Sequence, residues 1–163
     1  MIKNMFWGNV PVGAGFTLTP AGRVFLVPLQ VEVQCHIDTI CFVVTTQAGN
    51  VRVGIYRDNG DTAAGGALVV ESASVACGAA GSVQEVAVAD TELTPGFYWV
   101  AIQSDTTTAV LYRGSGAHAT SGSLRVERFD NGGGYGAFDN PCPAIGYPGV
   151  GHIHFHLLVS SVP

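Results

Sequence analysis

The sequence predicts an all-β protein with about eight or nine antiparallel strands. Short runs of β-branched and aromatic residues recur along the chain, and the clearest are Val51–Tyr56 and Phe97–Gln103. Turn clusters rich in glycine, asparagine and aspartate separate these runs, as at Asp58–Asp61 and Cys77–Gly81. Their spacing is typical of a sandwich or a barrel. We find no long segment with the 3.6-residue period of an amphipathic helix.

Length and composition limit the classes of function. A chain of 163 residues is expected to form one domain around one core. Only 12% of its residues are charged, against a usual share of about 25%, while 47% are apolar. No apolar run approaches the roughly 20 residues of a membrane helix, so no membrane partner is predicted. We therefore expect the apolar excess on strand faces and in contacts with other proteins.

Charge argues against a nucleic acid partner. The net charge is −5, and the seven lysine and arginine residues are spread over separate segments. They form no basic stripe that could neutralise a phosphate backbone. The four cysteines, at positions 35, 41, 77 and 142, include no Cys-x-x-Cys pair, which favours reduced thiols over a zinc site.

The first 20 residues are predicted to form an N-terminal arm. Glycine and proline are too frequent there for a helix, and Phe6 and Trp7 make the segment too aromatic for an inert tail. These two rings either cap one end of the core or cross onto a neighbouring subunit. The segment lacks the apolar core and cleavage site of a signal peptide, so we expect assembly in the cytoplasm.

Residues 21–163 are predicted to form the β domain. Apolar residues alternate from Val31 to Ile37, the period of a half-buried strand, but the parity shifts for Ile40–Val44. A bulge or a strand break near Thr39 would explain the shift. A helical turn or a short strand is expected at 123–129. Further strands are predicted at 24–27, 51–56, 67–75, 83–88, 97–103, 108–113 and 152–159.

Two of these segments carry a resemblance. The chain reads Val-Arg-Val-Gly-Ile-Tyr at 51–56, a glycine-rich turn leads into 67–69, and Leu-Thr-Pro-Gly-Phe-Tyr-Trp-Val-Ala follows at 93–101. Together they resemble the jelly-roll β-sandwich modules of phage virion proteins, which include head-decoration, tail and fibre components. The resemblance covers about 23–113 and the last strand. It implies a jelly-roll β-sandwich that is rigid and non-catalytic, commonly in a homo-oligomer, and it carries over no catalytic residue.

The histidines of the last predicted strand are candidate metal ligands. Alternate residues of a strand share a face, so His152, His154 and His156 are expected on one side. The residues that alternate with them are then expected in the core: Ile153, Phe155 and Leu157. Two neighbouring imidazoles can bind one iron or zinc ion if a three-fold axis supplies the other ligands. The alternative is a row of polar residues on an exposed or interface face.

A long loop is predicted over 114–151, and it holds a second set of candidate residues. Tyr135, Phe138 and Tyr147 lie there among aspartates and asparagines. Flat apolar rings beside planar hydrogen-bonding groups suit a sugar or a protein neighbour. The alternative is that these rings fold back over one open end of the sandwich.

Taken together, these features predict a non-enzymatic structural protein of a bacteriophage particle. Capsid decoration through subunit contacts is the leading hypothesis, with the major capsid or a tail protein as partner and a homo-oligomer, most simply a trimer. No cofactor is expected unless iron or zinc sits on a symmetry axis. The alternative is a carbohydrate- or receptor-binding module of a phage tail or fibre.

Overall fold

A computed structural model describes residues 15–60, 66–112, 127–130, 134–143, 153 and 155–161. The described residues form β-strands and no helix, which confirms the all-β class. They therefore include no helix that could cross a membrane. The strands are β1 (Gly15–Thr17), β2 (Arg23–Val31), β3 (Cys35–Thr46), β4 (Asn50–Arg57), β5 (Leu68–Glu71), β6 (Val75–Ala76), β7 (Val83–Leu93), β8 (Gly96–Ser104), β9 (Val110–Tyr112), β10 (Glu127–Asp130) and β11 (Phe155–Ser161).

The first nine strands pair as one long antiparallel ribbon that is rolled up. The pairs are nested: β4 with β5, β3 with β7 outside it, β2 with β8 next, and β1 with β9 outermost. Nested pairing of this kind is the connectivity of a jelly roll, and it confirms the fold that the resemblance implied. The last two strands join the outside of the ribbon, β10 beside β2 and β11 beside β3.

Rolling the ribbon places its strands in two packed antiparallel sheets. One sheet has the order β10-β2-β8-β4-β5, with β6 also paired to β4. The other has the order β1-β9-β3-β11, with β7 also paired to β3. The six-stranded and five-stranded sheets face each other across the main core, as in other β-sandwiches.

Register decides which side chains enter this core. Phe25, Ile102 and Val53 are paired across β2, β8 and β4, and all three are buried between the sheets. The neighbouring row, Leu26 with Ala101, lies on the opposite face because side chains alternate along a strand. The core-facing residues of the last strand match their prediction: Ile153 is buried, and Phe155 and Leu157 pack against the core.

The predicted irregularity near Thr39 is confirmed. β3 is continuous, but its pairing with β7 shifts between Ile37 and Thr39, and its pairing with β11 shifts at the same place. Ile37 and Ile40 both enter the core, although strict alternation would put them on opposite faces. The bulge therefore places Ile40, Phe42 and Val44 on the core face together with Ile37.

Other boundaries differ from their predictions. The alternation over 31–37 is not one strand, since β2 ends at Val31 and β3 begins at Cys35, with Val33 exposed in the turn between them. The predicted arm, 1–20, is described from Gly15 onward, and there β1 already belongs to a sheet. The predicted loop, 114–151, is interrupted by β10. These two short strands bring the described number to eleven, above the predicted eight or nine.

Loss of core volume between the sheets should be costly. Ile102 is fully buried at the centre of β8, so Ile102→Ala should lower the free energy of unfolding by about 2–5 kcal/mol. Urea unfolding followed by fluorescence measures this loss. Val33→Ala is the control, because Val33 is 64% exposed and its truncation should change stability by less than about 0.5 kcal/mol. Equal losses in the two variants would contradict the assignment of the core.

Candidate functional site

The outer face of the six-stranded sheet is also covered, by the segment Gly134–Pro143. We call this segment the cover. Its Phe138 and Cys142 are 5% and 3% exposed. They join sheet residues in a second apolar cluster, whose other members are Val24, Leu26, Tyr56 and Ala101, with Leu68 and Trp99 packed against it.

Polar contacts hold the cover to three strands and to the turn after β4. The Tyr56 hydroxyl donates to the Asp139 carbonyl at 2.7 Å. Two contacts reach the β5 region: the Leu68 amide donates to Asn140 Oδ1 at 3.1 Å, and the Phe138 amide donates to Glu71 Oε2 at 3.0 Å. The remaining anchors are the Cys142 amide on the Gly66 carbonyl, Gln103 Nε2 on the Gly136 carbonyl, and the paired hydroxyls of Tyr135 and Ser74.

Two glycines allow the cover to lie this close. A Cβ atom on Gly54 would lie 2.8 Å from Phe138 Cε2 and 2.8 Å from the Val70 carbonyl oxygen. A Cβ atom on Gly22 would lie 2.6 Å from the Tyr135 amide nitrogen, and Gly22 also has a positive φ of 77°. The glycine of the Val-Arg-Val-Gly-Ile-Tyr run thus makes room for the Phe138 ring, which comes from the cover and not from a paired strand.

Burial at the cover perturbs ionisable groups. Desolvation raises the pKa of the Tyr56 hydroxyl, with further contributions from Cys142, Asp139 and Glu71. The phenol therefore stays neutral and donates a hydrogen bond to the Asp139 carbonyl of the cover. Burial also raises the pKa of Tyr135. These tyrosines therefore act as hydrogen-bonding groups in the cover contacts.

In one corner under the cover, two polar side chains use only some of their hydrogen-bonding atoms. Arg52 Nη1 donates to the Ser72 carbonyl at 3.2 Å and lies 3.6 Å from Glu71 Oε2. Among the described residues, no hydrogen-bond partner is within reach of its buried Nε atom or of the buried Oε1 atom of its register partner Gln103. Both side chains are held here through their other polar atoms.

Beside the cover, the same sheet face presents aromatic side chains to solvent. Phe97 is 60% exposed, and Trp99, two residues along β8, is half-buried against the second cluster. Their register partners on β2 are Gln30 and Pro28. We call these four residues the aromatic face. At its border the Trp99 indole N–H points to Asp58 Oδ1 at 3.5 Å.

The predicted candidate residues separate into three groups. Phe138 belongs to the cover and is buried between it and the sheet, so it does not form part of an exposed platform, and Tyr135 is half-buried with its hydroxyl on Ser74. The backbone of His156 lies in β11 opposite Cys41. The others lie outside the described residues: Phe6, Trp7, Tyr147, His152 and His154.

The sequence carries a signal for the aromatic face that strand prediction alone does not use. In Phe97-Tyr98-Trp99 three aromatic residues are consecutive, and alternation must place the first and third on the face opposite the second. Tyr98 is 2% exposed and enters the core, which leaves Phe97 and Trp99 outside. Sequence alone did not indicate that the cover would shield only part of that face.

Serine, histidine and aspartate meet on the outer side of the five-stranded sheet. His36 lies between Asp90, 3.4 Å from Nδ1, and Glu92, 3.5 Å from Nε2. The Ser160 hydroxyl donates to Asp90 at 3.2 Å and not to the imidazole. A hydrolytic triad needs the histidine to contact the serine, and this group places the aspartate between them. The arrangement links β3, β7 and β11 as an exposed polar network.

Metal-ligand side chains are scattered over the described part of the chain. There, no group of three or more histidine, cysteine, aspartate or glutamate side chains is close enough to hold a metal ion. The four cysteines carry free thiols. Cys41, Cys77 and Cys142 are buried, and Cys35 is half-buried.

Comparisons of the chain with protein-family models, with curated proteins and with solved structures found no match. The site must therefore be interpreted from its own geometry.

Removal of the Phe138 ring should uncover the second cluster. Phe138→Ala is expected to lower the free energy of unfolding by about 3 kcal/mol, and it should make Cys142 reactive with maleimide in the folded protein. Denaturant unfolding and mass spectrometry of labelled peptides measure the two effects. Phe97→Ala is the matched control, since it removes the same ring from an exposed position on the same sheet face. If Cys142 stayed protected in Phe138→Ala, the cover would not be what shields it.

Alkaline pH should destabilise the fold through Cys41. Burial, and then the nearby carboxylates of Glu85 and Asp38, raise its pKa from 9.0 to about 11. The folded state thus favours the neutral thiol, a contribution that is complete below pH 9 and is lost as pH rises toward 11. Stability measured across this interval should fall less steeply in Cys41→Ala than in the parent chain. Parallel curves would show that the thiol does not contribute.

Proposed function

We propose that this chain is a non-enzymatic structural protein of a bacteriophage particle, a jelly-roll module that decorates the capsid through subunit contacts. One observation carries the proposal. The two segments that resemble virion modules, Val51–Tyr56 and Leu93–Ala101, lie on β4 and β8, which are antiparallel neighbours inside the six-stranded sheet, and Gly54–Tyr56 pair directly with Trp99–Ala101. The resemblance thus concerns residues that build the fold itself.

The placement of ionisable groups supports a role without catalysis. Asp90 and Glu92 are exposed and contact the half-exposed His36 between strands. Arg57 is held by Thr94 and by the ring of Tyr98, and Glu71 is used by the cover. Each of these groups serves a structural contact, and exposed ion pairs of this kind contribute little energy.

The apolar excess of the sequence is divided between contacts within the chain and an exposed surface that could contact other proteins. Burial of the second cluster under the cover accounts for some of the apolar excess within the chain itself. Phe97, Val33, Val83 and Leu158 remain exposed on the described surface. Val83 and Leu158, both on the five-stranded sheet, are the candidates for contacts with other virion subunits.

Particle composition tests the proposal. Phage particles purified from cells that carry this gene should contain the chain, and quantitative mass spectrometry should give a copy number comparable with that of the major capsid protein. A much lower number would place it in the tail, and absence from purified particles would overturn the proposal.

The isolated protein should be a stable oligomer, most simply a trimer. Multi-angle light scattering measures its mass directly. Subunit contacts that use the described apolar residues should weaken in Leu158→Ala and Val83→Ala, which lie on the five-stranded sheet. A mass of one chain at every concentration would contradict self-association.

A further inference from the structure

We propose that the aromatic face binds a neutral glycan. The site consists of Phe97 and Trp99 on β8 with Gln30 beside Phe97 and Asp58 at the border. This inference does not depend on the virion role, since a particle protein and a free module can both carry such a face.

The strands hold both rings in fixed positions. β8 lies between β2 and β4, so its backbone is paired on both sides. Alternate residues of a strand are about 7 Å apart, close enough for one short oligosaccharide to contact both rings. Trp99 is also packed against the second cluster. A ring that is ordered before binding loses little conformational entropy on binding.

Hydrogen-bonding groups surround the rings. Asp58 Oδ1 accepts the Gly60 amide at 3.2 Å, which fixes the turn after β4, and it faces the Trp99 indole N–H at 3.5 Å. The Gln30 amide is exposed and is the register partner of Phe97. Sugars present apolar C–H faces bordered by hydroxyl groups, and this combination of rings, an amide and a carboxylate matches both parts.

Charge favours a neutral ligand. Arg57, at the end of β4, contacts Thr94 and Tyr98 at 3.1 and 3.3 Å, with its guanidinium 5.4 Å from the centre of the Tyr98 ring, so it is engaged on the sheet face opposite Phe97 and Trp99. Asp58 would repel an acidic group at the border. Within the described residues the face thus has no free cation to receive a carboxylate or a sulfate.

Size favours a small ligand over a second copy of the chain. At 60% exposure the Phe97 ring offers about 100 Å². Trp99 and Pro28 are half-buried and add less. A stable protein interface buries about 800 Å² on each partner, several times what these residues present. The face fits one or two sugar rings.

A binding experiment tests the proposal. Trp7 and Trp99 are the two tryptophans of the chain, so Trp7→Phe leaves Trp99 as the reporter for fluorescence titration. Short neutral cello-, chito-, manno- and galacto-oligosaccharides are the probes, preceded by an array that also holds sialylated and sulfated glycans. We expect a neutral probe to change Trp99 fluorescence with saturation.

Variants of Phe97 identify the site. Phe97→Ala should weaken binding at least about tenfold, because it removes one stacked ring. Phe97→Tyr keeps the ring and should bind within about twofold of the parent. Ser160→Ala shortens an exposed side chain on the other sheet and should leave affinity unchanged. Far-ultraviolet circular dichroism confirms that each variant is folded.

Three results would overturn the proposal. They are no binding of any array glycan by the folded protein, equal affinity in Phe97→Ala and the parent, or binding of acidic glycans alone. If Phe97→Ala instead reduces the mass of an oligomer and no glycan binds, the face is a contact between copies and the glycan proposal fails. The copy number in purified particles is a separate measurement, so the glycan proposal can fail while the virion proposal stands.

Discussion

The six-stranded sheet is apolar on both faces, and much of the structure follows from the need to bury both. Of its central strands, β2 and β8 carry near-continuous apolar runs, and β4 adds Tyr56 to the outer face. One set of their side chains enters the main core, and the alternate set lies on the outside with Tyr56 and Ala101. An antiparallel sheet usually leaves one face to water. Here the cover takes the place of a third layer on part of that face.

An irregular segment that covers a sheet needs hydrogen-bond partners for its backbone. A segment without regular secondary structure carries backbone groups that need partners when they are buried. The chain meets this need with side chains from the sheet: Tyr56 and Gln103 reach carbonyls of the cover, and Glu71 accepts an amide. These three residues come from three different strands, β4, β8 and β5, so the cover is anchored across the width of the sheet.

The strands and the parity shift at Thr39 could be predicted from the sequence, because alternation is a local property of neighbouring residues. The cover could not, since its contacts join residues far apart in the chain, such as Tyr56 and Asp139. Gly54 indicated a ring on one face but not its source. The same distance left two positions open for Phe138, an exposed platform or packing back onto the sandwich, and the structure packs the ring on the sheet against Gly54.

The cover and the aromatic face are coupled through Trp99. One part of this side chain packs on the second cluster, which includes Phe138, and its indole N–H faces Asp58 in the turn after β4. The cover is also tied to that region by Cys142, whose amide donates to Gly66. The cover therefore does more than exclude water from the sheet. It also packs the cluster against which Trp99 lies, two residues from the exposed Phe97, so a ligand that bound these rings would meet one of them already positioned by folding.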